Sequence, residues 1–211
     1  MLAEFKSNPE LREEARASLR GNWGKAILTL IIYMVLTAFI NGGTRFDDIG
    51  WLFSILVAIL TGSWTAGILT YFVHLIRKQA LSVKLLFSQL HRLIPFFILI
   101  LLQAIFIILW TLLFIIPGFI AALRYSQALY IAIDNPEMKA SAVINRRKEM
   151  MEGQKMKYFI LMLSFIGWYL LRILTLGIGF LWLLPYVYAT QAAFYENLRL
   201  QYEQKQSDLP R

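Results

Sequence analysis

Four long apolar blocks, separated by segments rich in Lys and Arg, limit what this chain can fold into. Ala26–Ile40 is 15 residues, and Trp23 before it and Asn41-Gly42-Gly43 after it are placed to extend it. Trp51–Val73 is 23 residues, and neither block holds a formal charge. Leu93–Ile133 is 41 residues and Tyr158–Tyr195 is 38. About 20 helical residues cross ~30 Å of hydrocarbon, so each of the two longer blocks has to turn inside itself. The turns are written at Ile116-Pro117-Gly118 and at Leu176-Gly177-Ile178-Gly179. The chain therefore reads as an all-α polytopic membrane protein, six transmembrane helices in three hairpins, each preceded by a cytoplasmic amphipathic helix. In residue numbers this is one membrane domain. Residues 1–24 form an interfacial amphipathic helix, 25–73 hairpin 1, 74–135 a linker and hairpin 2, 136–198 a linker and hairpin 3, and 199–211 a cytoplasmic tail.

Composition agrees. Of 211 residues, 58% are hydrophobic and 16% charged, against ~45–50% apolar and ~25% charged in soluble domains. The absence of Cys excludes disulfides and thiolate chemistry. A basic stretch precedes the first block as in a signal peptide, but no A-x-A-like site follows, so the block reads as a retained helix.

Charge placement sets the orientation. Eighteen of the 21 Lys and Arg fall in the N-terminal segment, the two segments after the second and fourth helices, and the C-terminal tail. Arg45 lies in the opposite loop beside Asp47 and Asp48, and Arg124 and Arg172 lie within apolar blocks. Positive residues stay cytoplasmic, so both termini are expected on the cytoplasmic side of a cytoplasmic membrane, in multi-pass form. The net charge of +8 then belongs to anionic headgroups on that side, at ~1 kcal/mol per cation near the surface, rather than to nucleic acid.

The cytoplasmic segments are amphipathic. Asn8-Pro9-Glu10 carries a helix-start signal, after which Leu11, Ala15 and Leu19 recur beside a stripe of Arg12, Arg16 and Arg20. Such a helix is expected to lie in the interface with its arginines at phosphate level. Asp134-Asn135-Pro136-Glu137 repeats the start signal, and Ala80–His91 shows a weaker amphipathic pattern.

Catalytic chemistry is not evident. All 13 carboxylates lie outside the apolar blocks, and the two histidines bracket one loop. A proton relay needs an acid inside the membrane. No catalytic residue, metal site or cofactor is therefore expected, and Gly62…Ala66-Gly67 reads as a packing face. Arg172 is positioned to reach headgroups at the outer interface. Arg124 lies deep, where a cation costs at least ~2.5–3.5 kcal/mol. It calls for a polar cluster that includes Tyr125, Gln103, Gln191 or the carbonyl freed by Pro185, with water or an anionic ligand completing it. Tyr188, Gln191 and Tyr195 form a polar stripe suited to an interhelical face.

Three stretches carry a family resemblance. They are Leu11-Arg12 through Gly21-Asn22-Trp23; Ile116-Pro117-Gly118-Phe119 through Arg124-Tyr125-Ser126 to Asp134-Asn135-Pro136; and Met151-Glu152-Gly153-Gln154-Lys155 onward to Phe194-Tyr195-Glu196. Together they resemble the bacterial integral membrane proteins catalogued as domain-of-unknown-function family 975. Arg147 departs from that pattern, where a Ser is usual, and so does Ala142-Val143, in place of Glu-Ala. The resemblance implies a six-helix membrane protein and supplies no activity. Two functions fit. One is transport or handling of an anionic or lipid substrate. The other is a scaffold or accessory subunit that docks lipid or a protein partner through its amphipathic helices.

The topology has a direct check, because the native chain has no Cys. In intact cells a Lys148→Cys variant is expected to resist an impermeant thiol reagent, whereas a Thr44→Cys variant reacts. Labelling of Lys148→Cys from outside contradicts the orientation.

Overall fold

The computed structural model describes residues 5–42, 50–113, 127–168 and 179–208, and every regular element among them is helical. The order is α1 (Asn8–Leu19), α2 (Trp23–Gly42), α3 (Gly50–Ile76), two 3-10 turns (Val83–Phe87 and Leu90–Arg92), α4 (Leu93–Leu113), α5 (Ala128–Asp134), α6 (Ala140–Met150), α7 (Lys155–Leu163) and α8 (Phe180–Ser207).

Helix α1 starts one residue earlier than its sequence signal suggested. Ser7 is the N-cap, and its backbone N–H and hydroxyl both donate to the Glu10 carboxylate, at 2.6 and 2.7 Å. Pro9 falls in the first turn, where its missing N–H leaves no bond unmade. At the other end Gly21 takes φ +79°, open to glycine without a Cβ penalty, and the chain turns by 93° into α2.

Helix α3 is the central strut, with α1, α2, α4, α5 and α8 all packed on it. Among the described residues two stretches are long and apolar enough to cross a membrane, Ile59–Ile76 and Val83–Ile108, and α1 with α2 would make a third if the bent pair were one span. The two have opposite surroundings: 72% of the first is buried in protein, but only 22% of the second. Helix α4 thus turns Ile94, Ile98, Leu101 and Ile105 outward, and α2 does the same with Leu28, Val35 and Phe39. Apolar side chains in such outward stripes suit a hydrocarbon solvent.

The expected packing face on α3 is real. A Cβ on Gly67 would lie 2.1 Å from the Leu86 carbonyl oxygen, so the first 3-10 turn rests directly on the helix backbone. One turn earlier, Gly62 faces Phe96 and Ile100 of α4. Across the interior, rings interlock: Phe72 stacks on Tyr188, Tyr130 on Tyr195, and Phe194 meets both Phe5 and Tyr158, at centroid distances of 4.8–5.3 Å. The Tyr188, Gln191, Tyr195 stripe is therefore interhelical; Gln191 donates to the Met162 sulfur on α7 at 3.5 Å.

Several expectations need correction. Asp134-Asn135-Pro136-Glu137 ends a helix instead of starting one: Asp134 is the last residue of α5, and α6 begins at Ala140 after Lys139 as N-cap. The Ala80–His91 segment is two 3-10 turns rather than an amphipathic helix, because it lies flat against Gly67 and buries Leu86. Helix α8 continues to Ser207, so most of the segment read as a tail is helical. Finally, the apolar stripe of α1 does not face lipid. Leu11, Ala15 and Leu19 are fully buried, and α1 packs on α8 and α3.

Gly67→Ala is expected to destabilise the protein by about 3 kcal/mol or more, since a backbone carbonyl cannot move aside as a side chain can. Gly24→Ala, in a helix with nothing within 4 Å of the new methyl, should be neutral or stabilising by about 0.5–1 kcal/mol. Thermal unfolding of both variants in nanodiscs measures the contrast.

Candidate functional site

Helices α3, α5 and α8 end or pass at one place, and a single guanidinium joins them. Arg77 follows the last residue of α3. Its Nη1 donates to Asp134 Oδ1 at 3.0 Å, its Nη2 donates to Asp134 Oδ2, and its Nε donates to Glu196 Oε2 at 2.9 Å. Tyr195 adds a fourth bond, from its hydroxyl to Asp134 Oδ2 at 2.8 Å. Arg199 Nη2 closes the far side on Glu196 Oε1 at 2.5 Å. The side chains of Arg77, Asp134 and Glu196 are 20%, 16% and 14% exposed.

In this cluster Arg77 and Arg199 meet the carboxylates of Asp134 and Glu196, with Glu203 a further 3.7 Å from Arg199 Nη1. The cluster's geometry is the planar-fork arrangement that only arginine provides. Burial alone would weaken the charge on Arg77, but the hydrogen bonds and charges of Asp134 and Glu196 outweigh it and raise the pKa above that of a free guanidinium. A second arginine makes a parallel link. Arg92 is buried before α4 and donates to the carbonyls of Ala132 and Pro136, both at 2.9 Å, so it satisfies an end group of α5. Its guanidinium lies 5.0 Å over the Phe96 ring.

A cavity of about 250 Å³ opens beside the clamp, lined by Arg77, Asp134, Asn135, Arg146, Tyr195, Arg199, Tyr202 and Glu203, with Ile131 and Met150. Arg146 meets an amide oxygen and a ring there: Nη1 donates to Asn135 Oδ1 at 2.7 Å, and the guanidinium sits 5.2 Å from the Tyr202 centroid. Arginine, tyrosine and amide groups around a small polar cavity can hold an oxyanion by directed hydrogen bonds. Among the described residues no cluster of His, Asp and Glu is arranged to hold a metal ion.

The cluster drawn from sequence is placed only in part. Arg124, Tyr125 and Arg172 lie outside the described residues. Gln103 is buried on α4 with its Nε2 unpartnered among the described residues. Gln191 faces α7, and Pro185 is buried within α8. The two amides thus have different neighbours. Of the expected headgroup contacts, Arg16 and Arg20 remain exposed and share Glu13, at 2.9 and 3.7 Å. The sequence patterns that make Arg77 one of eighteen cations on the basic side and Asp134 a helix-start residue do not group these two with Glu196, although each of the three is the first formal charge after an apolar block.

The family model described as "protein of unknown function (DUF975)" matches residues 1–121 and again 112–202. No curated protein and no solved structure matches the chain.

Removing the guanidinium strands the Asp134 carboxylate without a cation and leaves Glu196 with Arg199 alone. Arg77→Met is expected to cost about 3–5 kcal/mol. The triple change Arg77→Met, Asp134→Asn, Glu196→Gln, which removes the stranded charges too, should recover most of that. Equal unfolding midpoints for wild type and Arg77→Met would mean the clamp carries no weight.

Proposed function

The chain belongs to the DUF975 family, and on that premise we propose a non-enzymatic multi-pass membrane protein that handles an anionic or lipid substrate at its cytoplasmic face. The topology in this proposal is six crossings in three hairpins, with both termini cytoplasmic. Arg77 supports it. It holds the end of α3, the end of α5 and an interior turn of α8 at one level, the arrangement that an even number of crossings between those points requires. Arg92 adds that α4 departs from the level to which α5 returns. Asn8 Nδ2 donates to the Lys157 carbonyl at 3.2 Å and keeps α1 beside the start of α7.

The cavity at the clamp carries the functional reading. It faces the basic side of the protein, and Arg146 is met there by neutral groups. An arriving oxyanion gains Arg146 without first displacing a carboxylate from it. Arg124, within an apolar block of the sequence, would then be a second station for the same kind of group.

A scaffold role is favoured by a different observation, the outward apolar face of α4, which suits a partner helix as well as lipid. Docking through α1 loses support, because its apolar stripe is already covered by α8 and α3.

Reconstituted vesicles separate the two. If the protein handles substrate, it should accelerate either flip of a headgroup-labelled phosphatidylglycerol, read by impermeant dithionite, or uptake of radiolabelled phosphate. Arg146→Gln should slow the process about tenfold, the loss of ~1.5 kcal/mol from one charge-assisted hydrogen bond. Rates equal to protein-free vesicles for both probes leave the scaffold role.

A further inference from the structure

A second cavity lies at the elbow between α1 and α2, apart from the clamp. It holds about 370 Å³ and is lined by Arg20, Lys25 and Lys78 together with Ser18, Asn22 and Gln79; among the described residues no Asp or Glu lines it. Leu75 and Leu81 contribute apolar wall. Arg20 has Glu13 at 3.7 Å, but Lys25 and Lys78 share this small space with it, and an oxyanion placed between them relieves the repulsion of the two lysines.

The backbone is also unusual here. Lys78 adopts φ 55°, the left-handed conformation that favours glycine at the end of a helix. Its N–H donates to the Leu75 carbonyl at 3.2 Å, and the next N–H, of Gln79, donates to the His74 carbonyl at 2.9 Å. A lysine at a position where glycine is unstrained puts a cation on the cavity at a conformational cost.

We propose that this elbow cavity binds the phosphate of an anionic phospholipid. The chemistry recognised is an oxyanion with several acceptor oxygens. Lipid, rather than free phosphate, is the source because the elbow joins an amphipathic helix to an apolar one at 93°. Leu28 and Ile31 of α2 turn outward a turn or two beyond Lys25, alongside where acyl chains hang from such a headgroup. The site deepens the lipid reading above. It rests on the membrane placement of the bundle but not on its sidedness, and a nanodisc, which presents both faces, tests it whatever the topology.

The full-length protein in phosphatidylcholine nanodiscs is probed with a trace of spin-labelled phosphatidylglycerol, and separately with spin-labelled phosphatidylcholine. Wild type should hold a motionally restricted excess of phosphatidylglycerol. Lys25→Gln with Lys78→Gln should weaken that association about 25-fold, at about fivefold, or ~1 kcal/mol, per charge. Lys78→Gly removes one charge while easing the backbone, so it should lose about fivefold in lipid association without a lower unfolding midpoint. Lys148→Gln with Lys205→Gln, exposed lysines outside the cavity, should leave the excess in place. Equal restriction of the two lipids in wild type, or full retention of phosphatidylglycerol by Lys78→Gly, overturns the proposal. Displacement of the lipid by millimolar inorganic phosphate overturns the lipid assignment and makes free phosphate the ligand.

Discussion

The bonds of Arg77 are the constraint on which the rest of the bundle depends. Three separate parts of the chain, at residues 77, 134 and 196, meet on one guanidinium. A carboxylate moved out of water is expensive unless it is paired and hydrogen-bonded. Asp134 receives bonds from both Arg77 and Tyr195, and Glu196 from Arg77 and Arg199. Because the groups answer one another, α3 and α5 end where α8 passes. The aromatic interior, with Tyr130 stacked on Tyr195 one turn away, assembles beneath that junction.

Lipid-like and protein-like surroundings are divided accordingly. Helix α3, flat-sided at Gly67 and Gly62, is enclosed on most sides, whereas α4 leaves its apolar residues outward. In a membrane, apolar side chains gain little from leaving lipid for protein, so close backbone packing and polar bonds do more of the holding. The Gly67–Leu86 contact and the Arg77 and Arg92 links are of those two kinds.

The helices themselves were legible from apolar block length: α2 and α3 cover the first two blocks, extended at their edges to Trp23, Gly42 and Ile76. So was the packing role of Gly67. The clamp was not, because a count of basic residues treats Arg77 as one of eighteen charges facing headgroups and says nothing of a partner 57 residues away. A sharper signal was present. The first formal charges after Val73, Ile133 and Tyr195 are Arg77, Asp134 and Glu196, of opposite sign and at equivalent places in the chain. Helix-start chemistry misled at Asp134-Asn135-Pro136, where the same residues serve a helix end and an ion pair. The α1 stripe was read correctly as apolar but assigned to lipid, since periodicity reports that a face is covered and not what covers it.

The most direct measurement is the distance between the C-terminal ends of α3 and α8 in a lipid bilayer. Spin labels on Gln79→Cys and Lys205→Cys, in a chain with no native Cys, report it by pulsed dipolar spectroscopy. With Arg77 intact the distance distribution should be single and narrow, and with Arg77→Met it should broaden and extend. A broad distribution in the otherwise native chain, or one that Arg77→Met leaves unchanged, contradicts the clamp.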